Sequence, residues 1–186
     1  LPHNFTEATC SVCGHIDTKT NADRGASSGE VVNQILGAMI ERTREEMERG
    51  TEVICEASFS CNNGGESNYC AVDILRKTAG GWAIYEVKST TCKVEDITLA
   101  KKAIRDKVQK YAPDIAFQKW VLEQCGVKVT GTYLVMLNSD YVRQGELNLQ
   151  QLFNIIDMKE LVSNEYLKVP ALQRLAHTTL QDDEPQ

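Results

Sequence analysis

Three ionisable residues stand close together in a stretch that otherwise reads as sheet. In AVDILRKTAGGWAIYEVKST, Asp73 lies in one strand-like run, and Glu86 and Lys88 lie two apart in the next. Side chains at i and i+2 share a strand face, and a tight turn between the runs sets Asp73 on the neighbouring strand. Two carboxylates and an ammonium then converge. Asp73 and Glu86 offer the oxygen ligands that Mg2+ and Mn2+ prefer, and the carbonyl of Val87 offers a third. Such a cation makes its water a better nucleophile and offsets charge at a phosphate. Lys88 can orient that water or stabilise the pentavalent transition state. Phosphodiester hydrolysis requires these parts.

The bland alternative is a solvated ion pair on an exposed sheet face, because Glu-x-Lys pairs arise by chance in many strands. Two details weigh against it. Asp73 is flanked by Val72, Ile74 and Leu75, and Glu86 and Lys88 are embedded in the equally apolar WAIYEVKST. Charges in central strands are costly unless paired or metal-bound.

The elements that must position these residues can be read from periodicity. A polar, irregular arm over residues 1–28 precedes a helix from about Gly29 to Gly50, with Val31, Ile35, Ala38 and Met39 spaced by three and four. TEVICEASFSC alternates as a strand, with Val53, Cys55, Ala57 and Phe59 on one face. YCAVDILRK and WAIYEVKST are two more strands, and short Asn/Gly and Gly-rich turns join the three into an antiparallel meander. After Cys92, VEDITLAKKAIRDKVQKY is helical and Pro113 breaks it. DIAFQKWVLEQCG is a helix capped by Asp114 and stopped by Gly126, with Val121, Leu122 and Cys125 packed on the sheet. KVTGTYLVMLN is a fourth strand. Residues 149–163 are expected as a short helix, and the tail LQDDEPQ frays. The expected fold is α/β, a central mixed sheet of four or more strands flanked by helices.

VDILRKTAGGWAIYEVKS resembles the Asp…Glu-x-Lys core of RecB-like nucleases of the PD-(D/E)XK superfamily. The order helix, three strands, helix, strand matches that restriction-endonuclease-like core. DIAFQKWVLEQCGV is similar to the helix that carries a glutamine in RecB-like members, and here that residue is Gln118. YLVMLNSDYVRQGELNLQQLF resembles a largely uncharacterised bacterial family with such a domain. The resemblance covers roughly residues 29–162 and runs through four separated segments in order. It implies a nuclease domain over residues 29–163, followed by an extension over residues 164–186. It also implies a metal-dependent DNA nuclease, exonuclease-like, acting on single- or double-stranded DNA, with a structure- or sequence-specific endonuclease on the same core as the second enzymatic reading. Asp73 and Glu86 are then metal ligands, Lys88 the catalytic lysine and Gln118 the supporting glutamine. Glu56, in ICEASF, is a further acidic candidate near the sheet centre; its alternative is a solvent-facing glutamate. Relatives often continue further, which leaves room for another domain or a protein partner.

The chain departs from that family in two ways. The first helix carries no histidine, Glu30 being its nearest carboxylate. Some relatives hold an iron–sulfur cluster through one upstream cysteine and a downstream group of three. Here Cys125 is the last cysteine, so no cluster is expected. Cys10 and Cys13 form one CxxC with His15 nearby, a weak metal signal because a closed zinc site needs four ligands.

Composition bounds these readings. With 42% hydrophobic and 25% charged residues, the 186-residue chain can build a core rather than stay disordered. A net charge of −6 counts mildly against nucleic-acid binding, and it favours a nuclease-like assembly or binding module whose site has decayed as the alternative reading. Seven cysteines, odd in number and scattered, do not form a disulfide framework. The absence of a membrane-length apolar run and of a signal-like start sets a cytoplasmic protein as the expectation. Lys101, Lys102, Arg105, Lys107 and Lys110 make one helix basic, either to meet phosphates or as an ordinary solvated face. Tyr141 and Arg143 either contact a nucleotide or pin the loop after the fourth strand. Trp82 and Trp120 read as core.

Overall fold

Strand-forming runs separated by two residues close into hairpins, and the middle of this chain is built that way. The computed structural model describes residues 5–6, 9–10, 28–63, 65–93 and 102–170. The chain divides into two compact units, residues 1–49 and 50–186.

In the first unit, β1 (Phe5–Thr6) and β2 (Thr9–Cys10) pair antiparallel inside the stretch expected to be irregular. Thr and Phe favour extended backbone. Helix α1 (Ser28–Glu48) follows at the expected place. Arg44 pairs there with Glu41 and Glu48, one turn away on either side.

The second unit holds a five-stranded mixed sheet in the order β3-β4-β5-β6-β7. Its first three strands, β3 (Val53–Asn63), β4 (Glu66–Thr78) and β5 (Gly81–Cys92), form an antiparallel meander. The turn between β4 and β5 is only Ala79–Gly80. Gly81 then sits at φ +154°, where an added Cβ would lie 2.3 Å from the Lys128 carbonyl oxygen, so only glycine fits.

The one-sided alternation expected for β3 does not hold. Val53 and Cys55 are exposed, whereas Ala57, Ser58 and Phe59 are all buried. The sheet is therefore covered on both faces at the middle of β3 and on one face at its start, where Ile54 is buried.

A crossover then leads through α2 (Lys102–Gln109) and α3 (Ala112–Gln124) to β6 (Val129–Asn138), which pairs parallel to β5. Residues 94–101, read from sequence as part of the first of these helices, lie outside the described residues. Helix α2 ends at Gln109, ahead of Pro113, which sits in the opening turn of α3, where its missing N–H costs nothing. Asp114 sits in the first turn rather than at the cap, which is Tyr111.

Gly126 ends α3 at φ +80°. Its N–H donates to the Glu123 carbonyl, and that of Val127 donates to Leu122, the paired bonds of a Schellman stop. Helix α3 packs across β3 to β6 on one side and against a later helix on another. Ile115, Ala116, Val121 and Leu122 are fully buried in consequence. Trp82 and Trp120 are core residues; Cys125 is exposed, although its thiol donates to the Ser60 carbonyl of β3 at 3.3 Å.

Residues 149–163 differ most from expectation. A single turn, α4 (Leu149–Leu152), gives way to strand β7 (Phe153–Asp157) and then to α5 (Lys159–Tyr166). Asn148 caps the turn through its side chain. In FNIID, Asn154 and Ile156 point in while Phe153 and Ile155 point out, the period of an edge strand. The α/β architecture expected of a restriction-endonuclease-like core, a mixed sheet of more than four strands flanked by helices, is what forms. Among the described residues no helix is long and apolar enough to cross a membrane.

Candidate active site

The register across the meander brings three carboxylates to one level. Counting along the ladders, Glu56 of β3 stands opposite Asp73 of β4, and Asp73 stands opposite Glu86 of β5. Backbone pairing lapses at both places. Between β3 and β4 the ladder skips the Glu56–Asp73 pair, where Glu56 adopts φ +53°, a left-handed conformation rare for a non-glycine residue. Between β4 and β5 it runs only from Thr78–Gly81 to Ile74–Tyr85. One residue further, the Val87 N–H donates to Asp73 Oδ2 at 2.7 Å. A side-chain carboxylate thus takes over from the ladder where the strands part.

Glu86 is the buried member of the set, 5% exposed. Both of its oxygens have donors. Lys88 Nζ donates to Oε1 at 2.6 Å, and Gln118 Nε2, reaching from α3, donates to Oε2 at 2.8 Å. A buried carboxylate is tolerable only when satisfied in this way. Asp73 comes level with Glu86 one step beyond the last ladder pair, and its carboxylate reaches β5 at the Val87 N–H, between Glu86 and Lys88. Beyond Lys88 the parallel β5–β6 register shifts, Lys88 pairing with Met136 and Thr91 with Leu137, so Ser89 and Thr90 are extra. Such bulges re-aim the side chains beside them.

The electrostatics centre on Lys88. Its pKa is raised, first by the hydrogen bond to Glu86, against the opposing effect of partial burial, and further by the charges of Glu86, Asp114 and Asp73. The ammonium also stands 5.6 Å from the centre of the Tyr111 ring, and Lys110 stands 5.0 Å from the same centre. Tyr111 and Asp114 were not legible as site residues, because their position depends on where α2 meets α3.

Asp73, Glu86, Lys88 and Gln118 are therefore brought together. Glu56 is not drawn into the group. It is exposed, and among the described residues no three His, Cys, Asp or Glu side chains converge closely enough to hold a metal. Val87 enters through its N–H. Cys13 and His15, and the side chain of Cys10, lie outside the described residues.

The donor chemistry of the group fits a hard divalent cation. Mg2+ is commonly held by one or two carboxylates, with substrate and water completing its shell, and Asp73 with Glu86 supplies that number. One further feature points to a missing donor: Gln118 Oε1 is buried without a hydrogen-bond partner.

Other candidates resolve differently. Tyr141 and Arg143 pin their loop, the tyrosine hydroxyl accepting from the Asn148 N–H at 2.9 Å and Arg143 Nε donating to the Gly145 carbonyl at 2.8 Å. A concavity of about 1220 Å3 lies under that loop, lined by Asn138, Tyr141, Gln144 and Asn154 among others, and contains none of the grouped residues.

No family model and no curated protein matches the chain. Among solved structures, the crystal structure of SSO0001 is similar at 13% identity, over 90% of this chain and 66% of that one, with a TM-score of 0.32. The chain spans just under two thirds of that structure's length, and a likeness this slight carries no argument about fold or function.

Proposed function

We propose that the chain is a divalent-metal-dependent DNA nuclease of the PD-(D/E)XK superfamily, of the RecB-like, exonuclease-like kind. The observation that carries the reading is the buried Glu86 carboxylate bound by both Lys88 and Gln118, with the Asp73 carboxylate held at the adjacent Val87 N–H where β4 and β5 part.

In this reading Asp73 and Glu86 hold Mg2+ or Mn2+. When bound, the cation supplies charge neutralisation at the phosphate and activation of water. The remaining work falls to the chain's own groups. Lys88 cannot be a ligand while protonated. One of its three donors binds Glu86, which leaves two for a phosphate oxygen or a water. Gln118 fixes the Glu86 carboxylate through Nε2, and its unpartnered Oε1 can accept from a water delivered to the buried side of the site. The Val87 N–H fixes Asp73 in the same manner.

A cleavage assay tests this: single- and double-stranded DNA with magnesium or manganese, beside Lys88→Ala. Metal-dependent cleavage lost in the variant supports the reading. Equal cleavage by both proteins removes it.

A second reading, a nuclease-like nucleic-acid-binding or assembly module whose site has decayed, draws on the absence of a three-acid cluster among the described residues. Calorimetric titration with manganese separates the two, since a decayed site takes up no metal.

A further inference from the structure

The basic helix after β5 is not uniformly available to a ligand. Arg105 is bound to Glu160 at 2.6 Å, and Lys107 donates to the Thr91 carbonyl. Lys110 differs. It lies in the turn just after α2, is exposed, forms no ion pair among the described residues, and stands 5.0 Å from the centre of the Tyr111 ring. The same ring lies 5.6 Å from Lys88 Nζ. One aromatic ring therefore positions two ammonium groups, one bound to Glu86 and the other open to solvent. Cation–π contacts of this length restrict where a flexible lysine head can go.

We propose that Lys110, positioned by Tyr111, is a contact for a phosphate neighbouring the one that Lys88 serves, and so sets the path of a nucleic-acid strand across the site. The proposal rests on the nuclease reading for the role of Lys88. The geometry agrees with the substrate. The two ammonium groups can be no further apart than the two ring distances laid end to end. At ~3.4 Å of axial rise per phosphate of one strand, that reach is at most about three phosphate steps, so a neighbouring phosphate falls within it. Lys110 supplies charge without sequence information, so the contact is to backbone and not to bases. Asp114, in the first turn of α3, acts electrostatically on Lys88, and a like charge there works against a phosphate brought to that ammonium. An acidic protein that binds a polyanion needs local points of this kind, because its net charge of −6 works against binding elsewhere.

The test uses the full chain and fluorescein-labelled single- and double-stranded DNA, with calcium in place of magnesium, in fluorescence anisotropy over a salt series. Lys110→Met should weaken binding about two- to fivefold. It should also flatten the slope of log affinity against log salt by about one contact, ~0.7 for single strands and ~0.9 for duplex. Tyr111→Leu should weaken binding, Tyr111→Phe should restore it, and Asp114→Asn should strengthen it. In cleavage with magnesium, Lys110→Met should raise KM and leave kcat nearly unchanged.

Wild-type affinity and salt slope in Lys110→Met would overturn the proposal, as would a wild-type protein that binds no DNA. A wild-type protein that binds with the predicted slopes but never cleaves would overturn the nuclease reading and leave the phosphate contact standing.

Discussion

Gln118 donates through Nε2 to Glu86 Oε2 at 2.8 Å while its own Oε1 is buried with no partner. The amide is thus held by one contact and incomplete in another. Changing it to an acid probes the first contact directly. Gln118→Glu sets a carboxylate against a buried carboxylate, and like charges raise the pKa of one of them. A carboxyl group with a folded-state pKa above its unfolded value costs stability increasingly as pH rises through the ordinary carboxylate range. The variant should match wild type near about pH 4 and fall about 1–3 kcal/mol below it at neutral pH. Urea unfolding at the two pH values measures this, and an equal deficit at both would show that the two groups do not touch.

Lys88→Met should abolish cleavage while leaving the fold largely intact. Methionine keeps the apolar stem but not the charge or the donors. Loss of one charge-stabilising donor costs about 10²–10³ in rate. Single-turnover cleavage, with circular dichroism to confirm folding, decides it. A variant that cleaves at the wild-type rate would make the Glu86–Lys88 pair a structural ion pair.

Asp73→Asn should act earlier in the sequence of events, at metal binding. It keeps an acceptor for the Val87 N–H but gives up the charge that a divalent cation needs. Manganese affinity should fall at least about tenfold, and activity should return in part at high metal concentration. Undiminished affinity in calorimetry would place the cation elsewhere.

The raised pKa of Lys88 has a pH signature. Folding favours its charged form, first through the hydrogen bond to Glu86. That stabilisation is fully present below the ordinary lysine range and is lost as pH rises through the raised value. The stability difference between wild type and Lys88→Met should therefore shrink in alkali. Urea melts from about pH 8 to about pH 11 test it, and a difference that grows with pH would contradict the bond.

Gly81→Ala should destabilise the chain by about 2 kcal/mol or more, because the new methyl group meets a backbone carbonyl that cannot move aside. Trp82, whose backbone N–H donates to the same Lys128 carbonyl at 2.9 Å, reports the effect by fluorescence. An unaltered melting curve would be inconsistent with so close an approach.

Most of the meander was legible from sequence because its signals are local. Alternating β-branched residues and Gly-rich turns specify hairpins, and the spacing of Glu86 and Lys88 specifies a shared face. The fifth strand was not, since FNIID is short and adjoins a helical turn that masks its period. Gln118 could be singled out only by resemblance, because α3 is buried on several sides and presents no amphipathic face to mark the inward residue. The left-handed backbone at Glu56 had no glycine to announce it. Tyr111 acquires meaning only where two helices meet.

The parallel pairing of β5 with β6 has a consequence for how the chain is assembled. The antiparallel hairpins can close over a few residues, whereas β6 reaches β5 only after everything between Cys92 and Val129 has been threaded across the sheet. Long-range closure of this kind is the slow part of folding. Gln118 travels on that crossover, so Glu86 receives its second donor only once the crossover helix has docked on the sheet. In a refolding experiment, strand formation should lead. Occupation of the Asp73–Glu86 site by manganese should lag and keep pace with the slowest phase.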